Sequence, residues 1–480
     1  MAVKLIPDGY HTVTPYLVVP GGSLTLLYQL FWIGLPLAVA FLFPSSVAAE
    51  TLPATEPGRC IEVRYEGLLD WEAHYLRPGE TRRFHSSQHF LTDGRGNARL
   101  DWTVWSEGDT AGPPESFLIV GDKVFRRYEP GQTWRERTGE EAELVRFRVL
   151  AGLPGTLSGV VPRSGLKLKW RRSRLESVED LRAHPRLGDV RNTIRYEYNK
   201  DTIPSGYQMV LHTQDSKRML DVRQIGTASS AAESLLAIPT DFEPAPPGAG
   251  ELIGEPVLVP RAEGVWSLDM EDIDHRSLVV EFADYLVLIE AAVGSANGER
   301  MVDAVKRRWP EKPIRYFFFS HYHPHYTGGL RAFIAEGATI LITPGNEEFV
   351  RKVAHYPFRL SPDRLARSPR PVRIQTFRNR FELADSTNRL VAIDIGERST
   401  HTDEFVIFYL PKQKLVFEAE QGWVTVDGAL LVSRRAEGFL KVLSDEGIDA
   451  QRLVQCWPMR ANKPEVSRSE LEALVRERKK

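Results

Sequence analysis

Three histidines are the residues of this chain best suited to do chemistry. His321, His323 and His325 occupy alternate positions in the stretch SHYHPHYTGGLRAF, directly after an apolar run. With 12 histidines in 480 residues, such a trio is expected by chance in fewer than about one in a hundred chains of this composition. In extended backbone alternate side chains point the same way, so His321 and His323 can converge on one ion. Because neutral imidazole is a common zinc ligand, the spacing predicts a metal site. The alternative is a group of solvated loop histidines.

The segments around this stretch indicate how the histidines are held. FFFS, which precedes them, predicts a buried strand that makes the loop rigid, and Gly328 and Gly329 allow a tight turn into the next helix. GERMVDAVKRRW predicts an amphipathic helix, because Met301, Val302 and Val305 recur at helical spacing. Strands are predicted further along the chain at EFVIFYLP and KLVFEAE. Hairpin strands that alternate with helices predict a layered sandwich with the helices outside the sheets.

The histidine stretch resembles the signature loop of the metallo-β-lactamase-fold hydrolases, in which two histidines, an Asp-His pair and two glycines follow a strand. The resemblance extends over about residues 253 to 460 and is greatest to periplasmic members of the family. It includes DIGERSTHTDEFVIFYLP, where His401 stands at the position of a further ligand histidine. It also includes KLVFEAEQGW, where Glu420 stands at the position of a bridging aspartate. The implied fold class is α+β: an αβ/βα sandwich with a metal cleft at one edge of its two sheets, here preceded by a β-rich accessory domain.

The sequence departs from the family pattern at the second metal position. His321, His323 and His401 keep the three imidazoles of the first metal, whereas His325 and Tyr326 replace the Asp-His pair. Two divalent cations a few ångströms apart repel strongly, and carboxylates normally offset that repulsion. Because one carboxylate is exchanged for a neutral histidine, we expect a single ion, zinc, on the three retained imidazoles. Iron also suits imidazole and carboxylate ligands.

The candidate metal ligands are His321, His323, His401, Glu420 and, as a fifth, His325. Glu420 has two open roles, because it can coordinate the metal or accept a proton as a general base. Tyr326 and His325 are further candidate catalytic groups, with Tyr326 donating to an oxyanion or leaving group. Packing beside the loop is the alternative for Tyr326.

The resemblance implies a zinc-dependent hydrolase that uses a metal-bound hydroxide on an ester, lactone, amide or related bond. The alternative is a catalytically degenerate periplasmic protein of the same fold, which binds a metal or another ligand without turnover. Fold resemblance by itself does not choose between these two functions.

Composition and charge restrict the partners. Lysine and arginine number 62 and aspartate and glutamate 64, which gives a net charge of -2. Nothing in this balance attracts nucleic acid, and the expected partner is a small-molecule substrate. The two cysteines, Cys60 and Cys456, are too few for a disulfide framework or a thiolate zinc site, although a single long-range bridge between them stays open. A metal must therefore be held by nitrogen and oxygen.

Changes of composition along the chain predict its organisation. Residues 24–43 are as apolar as a membrane span, and the small residues of PSSVAAE follow them. This favours an export signal cleaved near Ala49 and a periplasmic location, with an uncleaved membrane anchor as the alternative. After this leader, residues 1–49, short alternating strands and one helix predict a β-rich accessory domain at 57–239. A linker rich in proline, glycine and alanine is predicted at 240–252, and the metallo-β-lactamase-like domain at 253–480.

Overall fold

A computed structural model gives the fold of this chain. The residues that it describes are 59–71, 82–128, 130–154, 165–172, 174–212, 217–245, 253–291 and 293–478. The predicted leader and residues 246–252 of the predicted linker lie outside these ranges. The described chain divides into two compact units, one formed by the residues up to 245 together with 359–361, and the other by the remaining residues from 253 onward. Among the described residues, no helix is long and apolar enough to span a bilayer.

The first unit contains one large sheet. Buried and exposed residues alternate along strands such as Gly188–Glu197, which gives the sheet one dry and one wet face. The predicted helix is present at Gly139–Ala151 and packs against this sheet. The β-rich region that the short alternating strands predicted is therefore confirmed. In sheet order, its described strands are Phe242–Glu243, Trp134–Arg137, Lys123–Arg127, Glu115–Val120, Ala98–Ser106, Arg82–Thr92, Cys60–Trp71, Lys217–Ser230, Gly206–His212, Gly188–Glu197, Arg174–His184 and Leu166–Arg171.

The second unit contains two mixed sheets. The first sheet begins with antiparallel hairpins and continues with parallel strands; in order, its strands are Val257–Ala262, Val265–Met270, His275–Glu281, Leu286–Ile289, Ile314–Phe318, Thr339–Ile342 and Arg373–Thr376. The second sheet is antiparallel except where its fourth and fifth strands pair; in order, its strands are Arg380–Ala384, Arg389–Asp394, Val406–Leu410, Leu415–Glu418, Arg452–Gln455 and Glu465–Ser467. The helices of this unit are Ser295–Arg308, Pro324–Thr327, Leu330–Glu336, Glu347–His355, Arg364–Arg367, Ser433–Asp445 and Arg468–Arg478.

Successive aromatic residues show how these layers pack. Phe318 points to the second sheet, where its ring centroid lies 5.5 Å from that of Phe408. Phe317, the preceding residue, points to the opposite face and stacks at 4.4 Å on Phe333 of the helix Leu330–Glu336. Opposite directions for neighbouring side chains are expected in a strand. The predicted sandwich, with its two sheets face to face and helices outside, is therefore confirmed.

The glycines after the histidine stretch allow a close approach of backbone. Gly328 and Gly329 have φ of -60° and -92°, which any residue can adopt, so the tight turn predicted for them is not what requires glycine. A Cβ on Gly329 would lie 2.7 Å from the Cα of Gly298, and one on Gly328 would lie 2.5 Å from the backbone nitrogen of Gly294. Both distances are shorter than real Cβ contacts. Glycine is needed there because the loop packs directly on the start of the helix Ser295–Arg308.

The two cysteines are buried free thiols. The Cys60 Sγ lies 3.2 Å from the Ser230 Oγ, and the Cys456 Sγ donates to the Arg276 carbonyl oxygen at 2.8 Å. The single disulfide that the sequence left open does not form between them.

Candidate metal centre

Residues from both sheets of the second unit meet at one edge of the sandwich. His321 and His323 follow the strand Ile314–Phe318 of the first sheet. His401 lies in the loop that leads into the strand Val406–Leu410 of the second sheet, and Glu420 follows the strand Leu415–Glu418 of the same sheet. Residues that are distant in sequence are therefore brought together by the facing of the two sheets.

The four side chains form a compact, buried cluster. One possible ligand atom from each of His321, His323, His401 and Glu420 lies within 4.8 Å of the others. The ring centroid of His321 is 4.2 Å from that of His323 and 5.0 Å from that of His401. The Glu420 carboxylate lies 2.7 Å from His401 Nε2 and 3.7 Å from His323 Nδ1. None of the four residues is more than 7% exposed, so the cluster is shielded from solvent.

The turn that carries His401 is closed by Ser399. The Ser399 hydroxyl accepts from the backbone N–H of His401 at 3.1 Å and of Thr402 at 3.2 Å, and donates to the Thr402 carbonyl at 2.8 Å. Thr400, which lies between Ser399 and His401, takes a left-handed conformation with φ of 52°. These bonds replace the regular backbone pairing of a strand and hold His401 at the start of the segment that leads into Val406–Leu410.

The state of the imidazoles fits a divalent metal. The Ser320 Oγ lies 2.8 Å from His321 Nδ1, and the buried Nε2 of His321 has no hydrogen-bond partner within the described chain. A buried nitrogen without a partner is costly, and a metal ion would satisfy it. Burial lowers the pKa of His321 well below its ordinary value and that of His401 to about 3. Both rings are therefore neutral and offer a lone pair, as metal ligation requires.

Glu420 connects the cluster to two further residues. Its Oε1 accepts a hydrogen bond from the Tyr326 hydroxyl at 3.0 Å, and its Oε2 accepts one from Arg435 Nη1 at 3.2 Å. Burial raises the pKa of Glu420, but its contacts with His401 and His323 outweigh this effect and hold the pKa well below the ordinary value. The carboxylate is therefore ionised, and its charge lies at the centre of the cluster.

Two facing mixed sheets with outer helices, and histidines at one edge of both sheets, match the arrangement that the sequence resemblance implies. The described residues 253–478 therefore form the αβ/βα sandwich that this resemblance implies. No family model matches the sequence, and no curated protein matches it. Among solved structures, the chain is similar to a metallo-β-lactamase from Pontibacter korlensis, with 17% identity, coverage of 46% of this chain and 99% of that chain, and a TM-score of 0.34. It is also similar to the metallo-β-lactamase FIM-1 from Pseudomonas aeruginosa in its mono-zinc form, with 17% identity, coverage of 48% and 99%, and a TM-score of 0.36.

His325 is not one of the four clustered ligands, and its prediction as a fifth ligand needs correction. The extended backbone ends at His323, whose ψ is 148°, and the short helix Pro324–Thr327 begins immediately after it. The alternation that aligns His321 with His323 therefore does not continue to His325. The His325 Nε2 is 4.0 Å from the nearer Glu420 oxygen, and its ring stacks at 4.3 Å on Trp457.

Tyr326 contacts the cluster through its hydroxyl group. The side chain is fully buried, and the hydroxyl donates to Glu420. Burial, reinforced by the negative charge of Glu420, raises the pKa of Tyr326 well above its ordinary value. The phenol therefore stays protonated and serves as a donor to Glu420, rather than as a metal ligand.

Arg435 also contacts the cluster, and the sequence pattern did not predict it. It lies in the first turn of the helix Ser433–Asp445 and is only 3% exposed. Its Nη1 also approaches the Glu420 main-chain oxygen, at 3.3 Å. A signal for it exists in SRRAEGFLKV: Arg435 precedes Phe439 by four residues and Val442 by seven, so a charge occupies the buried apolar face of an amphipathic helix.

Glu290 is a second residue that was not predicted, and it contacts the histidine stretch through Ser320. It follows the strand Leu286–Ile289, is fully buried and has φ of 70°, a backbone conformation that costs about 1 kcal/mol for a residue other than glycine. Its Oε1 accepts the backbone N–H of Ser320 at 3.0 Å, and the Ser320 hydroxyl contacts His321. Glu290 thus orients the residue that sets the ring position of His321. The glutamate that closes the apolar run LVLI was the available signal.

Proposed function

We propose that this chain is a metal-dependent hydrolase that acts on an ester, lactone, amide or related bond with one zinc ion as its metal. The observation that carries the proposal is the convergence of three imidazoles and one carboxylate, with ligand atoms within 4.8 Å. When bound with an open position, zinc lowers the pKa of a coordinated water to about 7 and so supplies a nucleophile at neutral pH.

The residues of the cluster have distinct roles in this proposal. His321, His323 and His401 would hold the ion through their imidazole nitrogens. A carboxylate has about four lone-pair sites, and the hydrogen bonds from Tyr326 and Arg435 use one on each oxygen of Glu420. The remaining sites would bind the metal or take a proton during hydrolysis. Glu420 can fill either role without losing these two hydrogen bonds.

Tyr326 and Arg435 fix that position. Each donates to a different oxygen of Glu420, at 3.0 Å and 3.2 Å, so the plane of the carboxylate cannot turn freely. Hydrogen bonds to a charged acceptor are shorter and stronger than neutral ones. Glu420 is held in the orientation that both of its proposed roles require.

Metal analysis and turnover on the full-length chain test the proposal. Protein purified without added metal is analysed for zinc and iron, and is then assayed with panels of esters, lactones, thioesters and β-lactams. We expect about one equivalent of zinc, and loss of both metal and activity in His321→Ala and His401→Ala. His355→Ala is the matched control, because His355 is exposed at the end of the helix Glu347–His355 and lies outside the cluster. Loss of activity in the control, or full activity in either cluster variant, contradicts the proposal.

A metal-binding protein without turnover is the second candidate. It is favoured by the pairing of Glu420 with Arg435 and by burial of at least nine-tenths of every cluster residue, because a catalytic metal needs an open position that a substrate can reach. Firmly bound metal that requires His321 and His401, with no turnover across all four substrate panels, identifies this function.

A further inference from the structure

The charge balance of the cluster includes a buried arginine. Glu420 is the acidic member of the four clustered residues, and its Oε2 is 3.2 Å from the guanidinium of Arg435. The positive charge of Arg435 therefore already offsets the negative charge of Glu420. A divalent ion that enters this cluster meets three imidazole rings and a carboxylate that is paired beforehand.

The position of Arg435 also determines which oxygen of Glu420 is accessible. Oε1 faces Tyr326, His323 and His325, whereas Oε2 faces His401 and Arg435. Arg435 is nearly fully buried, and its guanidinium lies 5.6 Å from the ring centroid of Trp423. A second cation that bridged to the first through Oε2 would have to displace a buried guanidinium.

We propose that Arg435 is a specificity-determining residue that limits the cluster to a single divalent ion by occupying, with its own positive charge, the side of Glu420 that a second ion would need. The proposal rests on the metal-binding part of the proposed function and does not require hydrolysis. A guanidinium cannot lose its proton at any pH that a protein tolerates, so this charge is permanent. Repulsion between Arg435 and the bound ion also weakens the binding of the first ion.

Metal titration of variants that differ only at this charge tests the inference. Arg435→Met keeps most of the side-chain length and removes the charge, whereas Arg435→Gln removes the charge and keeps a donor for Glu420. Arg435→Lys keeps the charge. Arg434→Met is the matched control, because Arg434 is the exposed neighbour on the same helix. The probe is Zn²⁺ alone, added to metal-free full-length protein in equilibrium dialysis with elemental analysis, and circular dichroism checks the folding of each variant.

We expect the wild type, Arg435→Lys and Arg434→Met to bind one ion. The two neutral variants are expected to take up a second ion, or to bind the first at least about tenfold more tightly. A folded neutral variant that binds one ion with wild-type affinity overturns the inference. So does uptake of a second ion by Arg435→Lys, and this result can be obtained even if neither neutral variant folds.

The same titration separates this inference from the proposed function. A wild-type chain that binds no Zn²⁺ contradicts the proposed function. It also overturns the inference about Arg435, which requires one bound ion in the wild type. If the wild type binds one ion and a folded neutral variant is indistinguishable from it, only the inference about Arg435 fails.

Discussion

Replacing Glu420 by glutamine is expected to destabilise the metal-free protein strongly. Glutamine keeps the size of the side chain but removes the charge that Arg435 faces at 3.2 Å. Arg435 is only 3% exposed, so water cannot compensate for the loss. Removing one partner of a buried ion pair costs about 3–5 kcal/mol, because the other charge stays buried without a counter-ion. We expect Glu420→Gln to lower the free energy of unfolding by an amount in this range.

Two further variants isolate the cause of that loss. The double variant Glu420→Gln/Arg435→Met removes both charges and is expected to be more stable than Glu420→Gln alone, since no uncompensated charge remains. Glu382→Gln removes the carboxylate of a surface pair, in which Glu382 lies 2.8 Å from Arg389 and both side chains are more than a third exposed. Its free energy of unfolding is expected to be close to that of the wild type.

The stability of the second unit must be measured separately from that of the first. Urea unfolding followed by hydrogen exchange in peptides from the helix Ser433–Asp445 reports on the second unit alone. A loss below about 1 kcal/mol for Glu420→Gln would refute the view that Arg435 and Glu420 form a buried, mutually dependent pair. A double variant that is less stable than Glu420→Gln would refute it as well.

Three other substitutions give independent expectations. Tyr326→Phe removes the hydrogen bond to the ionised Glu420 and is expected to cost about 1.5–3 kcal/mol in the same unfolding experiment; an unchanged midpoint would show that the hydroxyl does not hold the carboxylate. Burial lowers the pKa of His275 to about 3, whereas the unfolded chain titrates near 6.5, so stability is lost as the pH falls below about 6.5. Between pH 7.5 and 5 this group should account for about 2 kcal/mol, which should disappear from the pH dependence of unfolding in His275→Asn. Gly298→Ala places a Cβ 2.3 Å from the Gly329 carbonyl oxygen and is expected to lower the melting temperature, whereas Gly112→Ala, where the Cβ meets nothing within 4 Å, is not.

The local pattern of the chain predicted the fold and the convergence of the histidines because both depend on short-range geometry. Hairpin strands that alternate with helices define the layers, and two-residue alternation in extended backbone aligns His321 with His323. His401 and Glu420 are 78 and 97 residues beyond His323, so nothing local could place them beside it. Their positions were expected from the family resemblance and depend on the facing of the two sheets.

The rest of the centre depends on contacts that periodicity does not describe. His325 leaves the cluster because Pro324 starts a helix, and a count of alternate residues does not register that change. Arg435 approaches Glu420 only because the helix Ser433–Asp445, which begins 13 residues after Glu420, folds back to the centre. Gly328 and Gly329 were assigned to a turn, whereas the structure requires them for backbone contact with Gly294 and Gly298.

X-ray absorption spectroscopy of the zinc-loaded full-length chain tests the metal centre most directly. We expect one zinc ion with scattering from three imidazoles at about 2.0 Å, and loss of that signal in both His321→Ala and His401→Ala. A metal-to-metal vector near 3.5–4 Å, the spacing of two-metal sites, or a zinc ion with fewer than three imidazole ligands, would contradict a single ion held by His321, His323 and His401.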